Sequence, residues 1–147
     1  MPTFWRGTNT SATRLSTGKP CKVFPAPYAV RLFPRSDNRD DTVVEPDIVV
    51  VCDKAKRDAR GCNGAPDMAV EILSPSTSRN DCLVKFNKYC AAGVREYWVV
   101  NPEDKTVQTH ILESKRYVTS VYGAAASVAV SALPGCVVHL PEVFAEE

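Results

Sequence analysis

The chain has only two histidines, His110 and His139, and none of its six cysteines falls in a Cys-x-x-Cys spacing. Both absences weigh against a zinc site. In a reducing cytosol such cysteines read as free thiols acting as small apolar side chains, with disulfides or thiol chemistry the lesser alternative. Net charge is nearly absent too, +1 over 147 residues, so no global basic field announces a protein devoted to tight nucleic-acid binding. The charge is uneven, at −3 over residues 101–147 and +4 over residues 1–100. No apolar run approaches the roughly 20 residues of a spanning helix. Met1 to Thr10 has no cationic region followed by an apolar stretch, so a cytoplasmic protein without a membrane partner is expected. Acid is missing from residues 1–18 altogether, and no helical period runs through residues 1–20, which read as a loosely ordered arm. The length suits a single domain over 1–147.

What is present is organised around one hairpin. Val43-Val44-Glu45-Pro46-Asp47-Ile48-Val49-Val50-Val51 and Ala65-Pro66-Asp67-Met68-Ala69-Val70-Glu71-Ile72-Leu73-Ser74 each carry a Pro-Asp pair and then become a β-branched, apolar run. Before them, Tyr28, Val30 and Leu32 alternate as in a strand, and residues 35–42 read as a charged turn-rich loop. Residues 52–65 read as a solvated loop, with contact to a phosphate backbone as the sharper alternative for Lys54, Lys56, Arg57 and Arg60. Ser78 followed by Asp81 resembles a capping box, Gly93 is a natural C-terminal cap, and the helix between them spans about 79–92. Its apolar stripe is Leu83, Phe86 and Cys90, with Tyr89 beside them. Strands follow at 95–100, 106–112 and 116–121, with a possible edge strand at 127–131 and a tail that packs Val143 and Phe144 back onto the body. This order implies an α/β domain with a mixed central sheet and a crossover helix on one face.

Alternation puts Asp67, Ala69, Glu71 and Leu73 on one face of their strand, and Asp47, Val49 and Val51 on one face of theirs. An antiparallel register with Asp47 opposite Glu71 brings both carboxylates within reach of one cation. Asp67 and Glu71 lie about 13 Å apart at ~3.3 Å per residue, too far for one ion unaided. Paired carboxylates repel, and favour a shared proton or a hard cation such as Mg2+ or Mn2+, which activates water and stabilises charge on a phosphodiester. The bland reading of Asp47 and Asp67 is a turn residue after proline; Glu71, mid-strand between Val70 and Ile72, resists it. Lys85 lies about 110° from the stripe centre and leans over the sheet edge, with a surface lysine as its bland reading; Lys88 points to water.

Pro46-Asp47, a variable loop, and then Pro66-Asp67-Met68-Ala69-Val70-Glu71-Ile72-Leu73-Ser74-Pro75-Ser76 resemble the Uma-two family of restriction-endonuclease-like proteins, within the PD-(D/E)xK nuclease superfamily. The resemblance continues through Lys85-Phe86-Asn87-Lys88-Tyr89 and Glu96-Tyr97-Trp98-Val99-Val100-Asn101-Pro102, over about residues 19–144. It implies a restriction endonuclease-like mixed β-sheet flanked by helices and a metal-dependent nuclease acting on DNA. By that analogy Asp47 and Glu71 bind Mg2+ or Mn2+ with the backbone carbonyl of Ile72, and Asp67 is a weaker further candidate. The lysine that usually follows the acid by two residues is replaced here by Leu73, and Lys85 is the matching position on the next helix. Family members usually begin with amphipathic helices that residues 1–18 do not show, so the N-terminal helix is expected to be missing or degraded. The alternative reading is a catalytically decayed relative that binds DNA or protein or dimerises; an unrelated α/β domain with accidental carboxylates is a third. A homodimer is compatible with duplex cutting.

Overall fold

The computed structural model describes residues 21–37, 39 and 42–145; the arm read at 1–20, and with it the expected state of an N-terminal helix, lies outside the described residues. The main body is a six-stranded mixed sheet. It comprises β1 (Lys22–Pro25), β4 (Ile48–Val51), β7 (Met68–Ile72), β8 (Glu96–Asn101), β9 (Thr106–Glu113) and β10 (Arg116–Gly123), in that spatial order. Only β7 and β8 run parallel; the other neighbours are antiparallel. A parallel pair needs a crossover, and helix α1 (Arg79–Ala92) supplies it.

The helix starts and stops where the sequence dictates. Ser78 accepts the Asp81 N–H at 3.1 Å while Asp81 accepts the Ser78 N–H at 3.2 Å, and Gly93 takes the left-handed conformation that ends the helix.

Residues 52–65 differ from the solvated loop expected of them. A 3-10 turn at Lys54–Lys56 leads into β5 (Arg57–Asp58) and β6 (Gly61–Asn63), which join β2 (Val30–Arg31) and β3 (Val43–Val44) in a second sheet ordered β3-β2-β6-β5. Strands of two or three residues are too short to show a period, which is why charge hid them. Gly61 is required at this junction: its φ is +115°, and a Cβ there would meet the Ala29 carbonyl oxygen at 2.1 Å.

Both faces of the central strands are buried, as in sheets covered on two sides. On one face Val49, Val51, Ala69 and Tyr97 pack with Val30, Leu32 and Cys62 of the small sheet and with Tyr89 of α1. On the other, Ile48, Val50, Met68, Val70, Trp98 and Val100 pack against the C-terminal segment. That segment is a ribbon of β11 (Ser127–Ala129) and β12 (Val137–His139) followed by the short helix α2 (Leu140–Val143). The strand expected at 127–131 is therefore part of a separate two-stranded sheet, and Val143 enters the core as the tail pattern implied.

Two expectations are corrected here. Cys21 and Cys52 are joined by a disulfide that ties the start of β1 to the end of β4, so only Cys62, Cys82, Cys90 and Cys136 are free thiols. Leu83, placed in the buried stripe of α1, is 57% exposed. Among the described residues, no helix is long and apolar enough to cross a membrane.

Candidate active site

β4 and β7 pair with Ile48 opposite Val70 and Val50 opposite Met68. One step further along this register, Asp47 stands across from Glu71. The two β-branched runs reach this register because both faces are buried, and a slip would exchange apolar and carboxylate side chains. Asp47 is half-buried, and its Oδ2 accepts the Ile72 N–H at 2.7 Å. Glu71 is buried at 6% exposure. Its Oε1 accepts the Tyr89 hydroxyl at 2.7 Å and its Oε2 accepts Lys85 Nζ at 3.2 Å.

Lys85 and Tyr89 are four residues apart and share one helix face, which explains the exposure of Leu83. The helix turns toward the sheet the face that satisfies a buried carboxylate, with Phe86 beside it, rather than the face its most apolar residues define. Lys88 is exposed, as its angular position implied.

The structure thus brings Asp47, Glu71 and Lys85 together and leaves Asp67 apart. At the opposite end of the strand pair, Asp67 Oδ2 accepts the Cys52 N–H at 2.7 Å and Oδ1 lies 3.4 Å from Arg95 Nη1. Ile72 ends β7, with its N–H held by Asp47. Sequence reading missed Tyr89, which it took for a purely apolar contact. Its one signal is the spacing of four from Lys85.

Burial pushes the Glu71 carboxyl above the usual carboxylate range, and the nearby Asp47 charge adds to this; the Tyr89 hydrogen bond and the Lys85 charge pull it back only in part. Tyr89 is itself held well above the ordinary tyrosine range by burial and by Glu71, so its hydroxyl remains a donor.

A hard cation would suit this arrangement. Nothing among the described residues donates to Asp47 Oδ1, and each Glu71 oxygen keeps a lone pair beyond its one hydrogen bond. A cation would also offset the burial that raises Glu71 and the smaller push from the Asp47 charge. Among the described residues no group of three or more His, Cys, Asp or Glu could hold a metal, so a carbonyl and water would have to complete the ligand set.

Residues 9–141 match a family model, Uma2, described as "Putative restriction endonuclease". The chain belongs to the Uma2 family. The Uma2 match takes in both Pro-Asp strands, α1 and the ribbon, so the site lies within the shared region. A crystal structure of a "putative nuclease belonging to DUF820" from Anabaena variabilis ATCC 29413 superposes with a TM-score of 0.69 at 19% identity. The alignment covers 98% of this chain and 81% of that one, and it shows that this Uma2 chain has the same fold. No curated protein matches the chain.

Proposed function

We propose that this Uma2 chain is a divalent-metal-dependent nuclease that hydrolyses phosphodiester bonds in DNA. The observation that carries the reading is the ion pair of Lys85 with a buried Glu71, which stands across from Asp47 in the continued register of β4 and β7. A buried glutamate in mid-sheet has a cost unless it serves a purpose. A cation, a carboxylate pair and a lysine are parts from which metal-assisted phosphodiester hydrolysis can be built.

Asp47 and Glu71, with the Ile72 carbonyl, would hold Mg2+ or Mn2+, which supplies Lewis acidity and a water nucleophile of lowered pKa when bound. Lys85 carries a positive charge beside these oxygens and is 44% exposed, so it can orient water or face a phosphate oxygen. Tyr89 fixes the Glu71 carboxylate by donating its hydroxyl to Oε1. Asp67 takes no part in this scheme. A homodimer acting on DNA in the cytoplasm fits the same reading.

A second reading is favoured by one feature: each Glu71 oxygen already has a partner in the protein, so the cluster is satisfied without a metal. A decayed enzyme serving as a DNA- or protein-binding module would keep such a cluster as structure. Calorimetry with Mn2+ on the wild type and on Glu71→Ala, with plasmid cleavage run on the same samples, separates the two. Binding and cleavage that both disappear in the variant are the expected outcome. Unchanged Mn2+ binding in Glu71→Ala, or none in the wild type, would sink the metal site.

A further inference from the structure

Beside the carboxylates, on the same sheet face, lies a cleft of about 280 Å3 that the proposed chemistry does not use. Its floor and walls are Leu73, Phe86, Tyr97, Val99, Gln108 and His110, with Leu83 at the rim. The register fixes where it sits. Val99 pairs with Glu71 across β7 and β8 and with Gln108 across β8 and β9, so the floor is the direct lateral continuation of the acid. The wall is α1, and Phe86 follows Lys85 immediately.

We propose that this cleft takes one unpaired nucleobase of the substrate strand, next to the phosphate at Asp47, Glu71 and Lys85; the proposal rests on the nuclease reading. Four observations favour this occupant. First, three of the lining side chains are rings, packed with the Phe86 and His110 centroids 4.5 Å apart and those of Tyr97 and His110 5.7 Å apart. A flat heteroaromatic is the natural complement of such a surface. Second, the polar edge is neutral. Gln108 offers a carboxamide that can both donate and accept, and burial lowers the His110 pKa while its Nδ1 is engaged with Thr119 Oγ1 at 2.8 Å. Third, the volume suits one base and is too small for a helix or a duplex segment. Fourth, Leu73 also lines a second cleft of about 480 Å3, with Ser74, Thr77 and Asn101 around it. Its Ser74 and Thr77 hydroxyls and the Asn101 amide can hydrogen-bond a sugar–phosphate backbone that continues past Leu73, although Glu103 also lines it; the cation on the proposed path is Lys85, held at Glu71 outside this cleft.

A base in this cleft is a base out of its pair. The preferred substrate is therefore single-stranded or locally opened nucleic acid, read by stacking and by one amide.

The test is equilibrium binding of the full chain, in EDTA so that no cleavage occurs, to a short single-stranded oligonucleotide carrying 2-aminopurine. The same strand with an abasic site, and the matched duplex, are run alongside. The wild type is expected to bind the base-bearing strand about tenfold more tightly than the abasic strand or the duplex, with a change in 2-aminopurine emission. Gln108→Ala removes the amide and Leu83→Trp fills the rim; both change partly or fully exposed positions. Each is expected to lower affinity for the base-bearing strand about tenfold and to leave the abasic strand unaffected. Equal binding of base-bearing and abasic strands by the wild type would overturn the proposal. So would a free nucleoside monophosphate that competes as well as the strand, because the cleft would then hold a nucleotide rather than part of a chain. Either result would leave Glu71-dependent cleavage intact. Base-dependent binding in a protein that neither holds Mn2+ nor cuts DNA would instead end the nuclease reading and keep the cleft.

Discussion

Among the described residues two glutamates are buried, and their surroundings differ. Glu96, at 1% exposure, receives the Trp98 indole N–H at 2.9 Å and the backbone N–H groups of Ser131 and Ala132 at 3.0 and 2.8 Å. It is a fixed acceptor that pins the turn after β11 to the sheet. Glu71 receives a hydroxyl and a partly exposed lysine, and burial still holds its carboxyl above the usual range. Ionising Glu71 in the folded chain therefore opposes folding. The penalty is absent below the ordinary carboxylate range, near pH 4, grows as pH rises through the raised titration, and is complete above it. Glu71→Gln, which still accepts from Tyr89, is thus expected to melt above the wild type at pH 8, with the difference gone near pH 4. Thermal melts at the two pH values check this, and a less stable variant at pH 8 would show that the Lys85 ion pair outweighs burial. The sequence distinguished Glu71 because it interrupts an apolar run that has a Pro-Asp partner across the hairpin. It could not distinguish Glu96, whose backbone partners lie 35 and 36 residues away.

At the scale of the element, α1 is the part on which the site depends most, because it contributes Lys85 and Tyr89 from its second and third turns. Its N-terminus was legible as a local pattern of hydroxyl and acid, and its C-terminus as a glycine. Ser78→Ala removes the acceptor for the Asp81 N–H and is expected to cost about 1 kcal/mol by urea denaturation, with the helix otherwise retained. A loss below a few tenths would mean that the cap contributes little beside the packing of Tyr89. The buried face of the same helix was misread because apolar content was taken as the marker of burial. Leu83 is exposed while Lys85 reaches a carboxylate, so here an ion pair and a tyrosine hydrogen bond set the rotation of the helix. The β5–β6 half of the small sheet was illegible for a different reason. Arg31 is buried against Asp58, and Lys56 donates to the Ala65 carbonyl at 2.9 Å, so charges that read as solvated are parts of its structure.

For the whole molecule, the Cys21–Cys52 disulfide closes a span of 31 residues that contains β1, β2, β3 and β4. No spacing rule in the sequence pairs these two cysteines, which meet only because β1 runs antiparallel to β4. A loop of that length stabilises by about 3–4 kcal/mol through the unfolded state. Denatured protein prepared without reductant is expected to titrate four thiols, and reduction to lower the urea midpoint; six thiols would show that the pair stays reduced, as in a cytoplasm. From β7 onward the mixed sheet and its crossover were legible because β7, α1, β8, β9 and β10 are each long enough to show a pattern and follow one another through short connections. The double burial of β4 and β7 has a further consequence, for heredity. A slip of β4 by one residue against β7 would turn Asp47 to the other, apolar face of the sheet, away from Glu71, and bring apolar side chains of that face into its place. The spacing of the two acids is thus guarded by every valine in the pair, and drift in the loops and in the small sheet can accumulate around it without moving it.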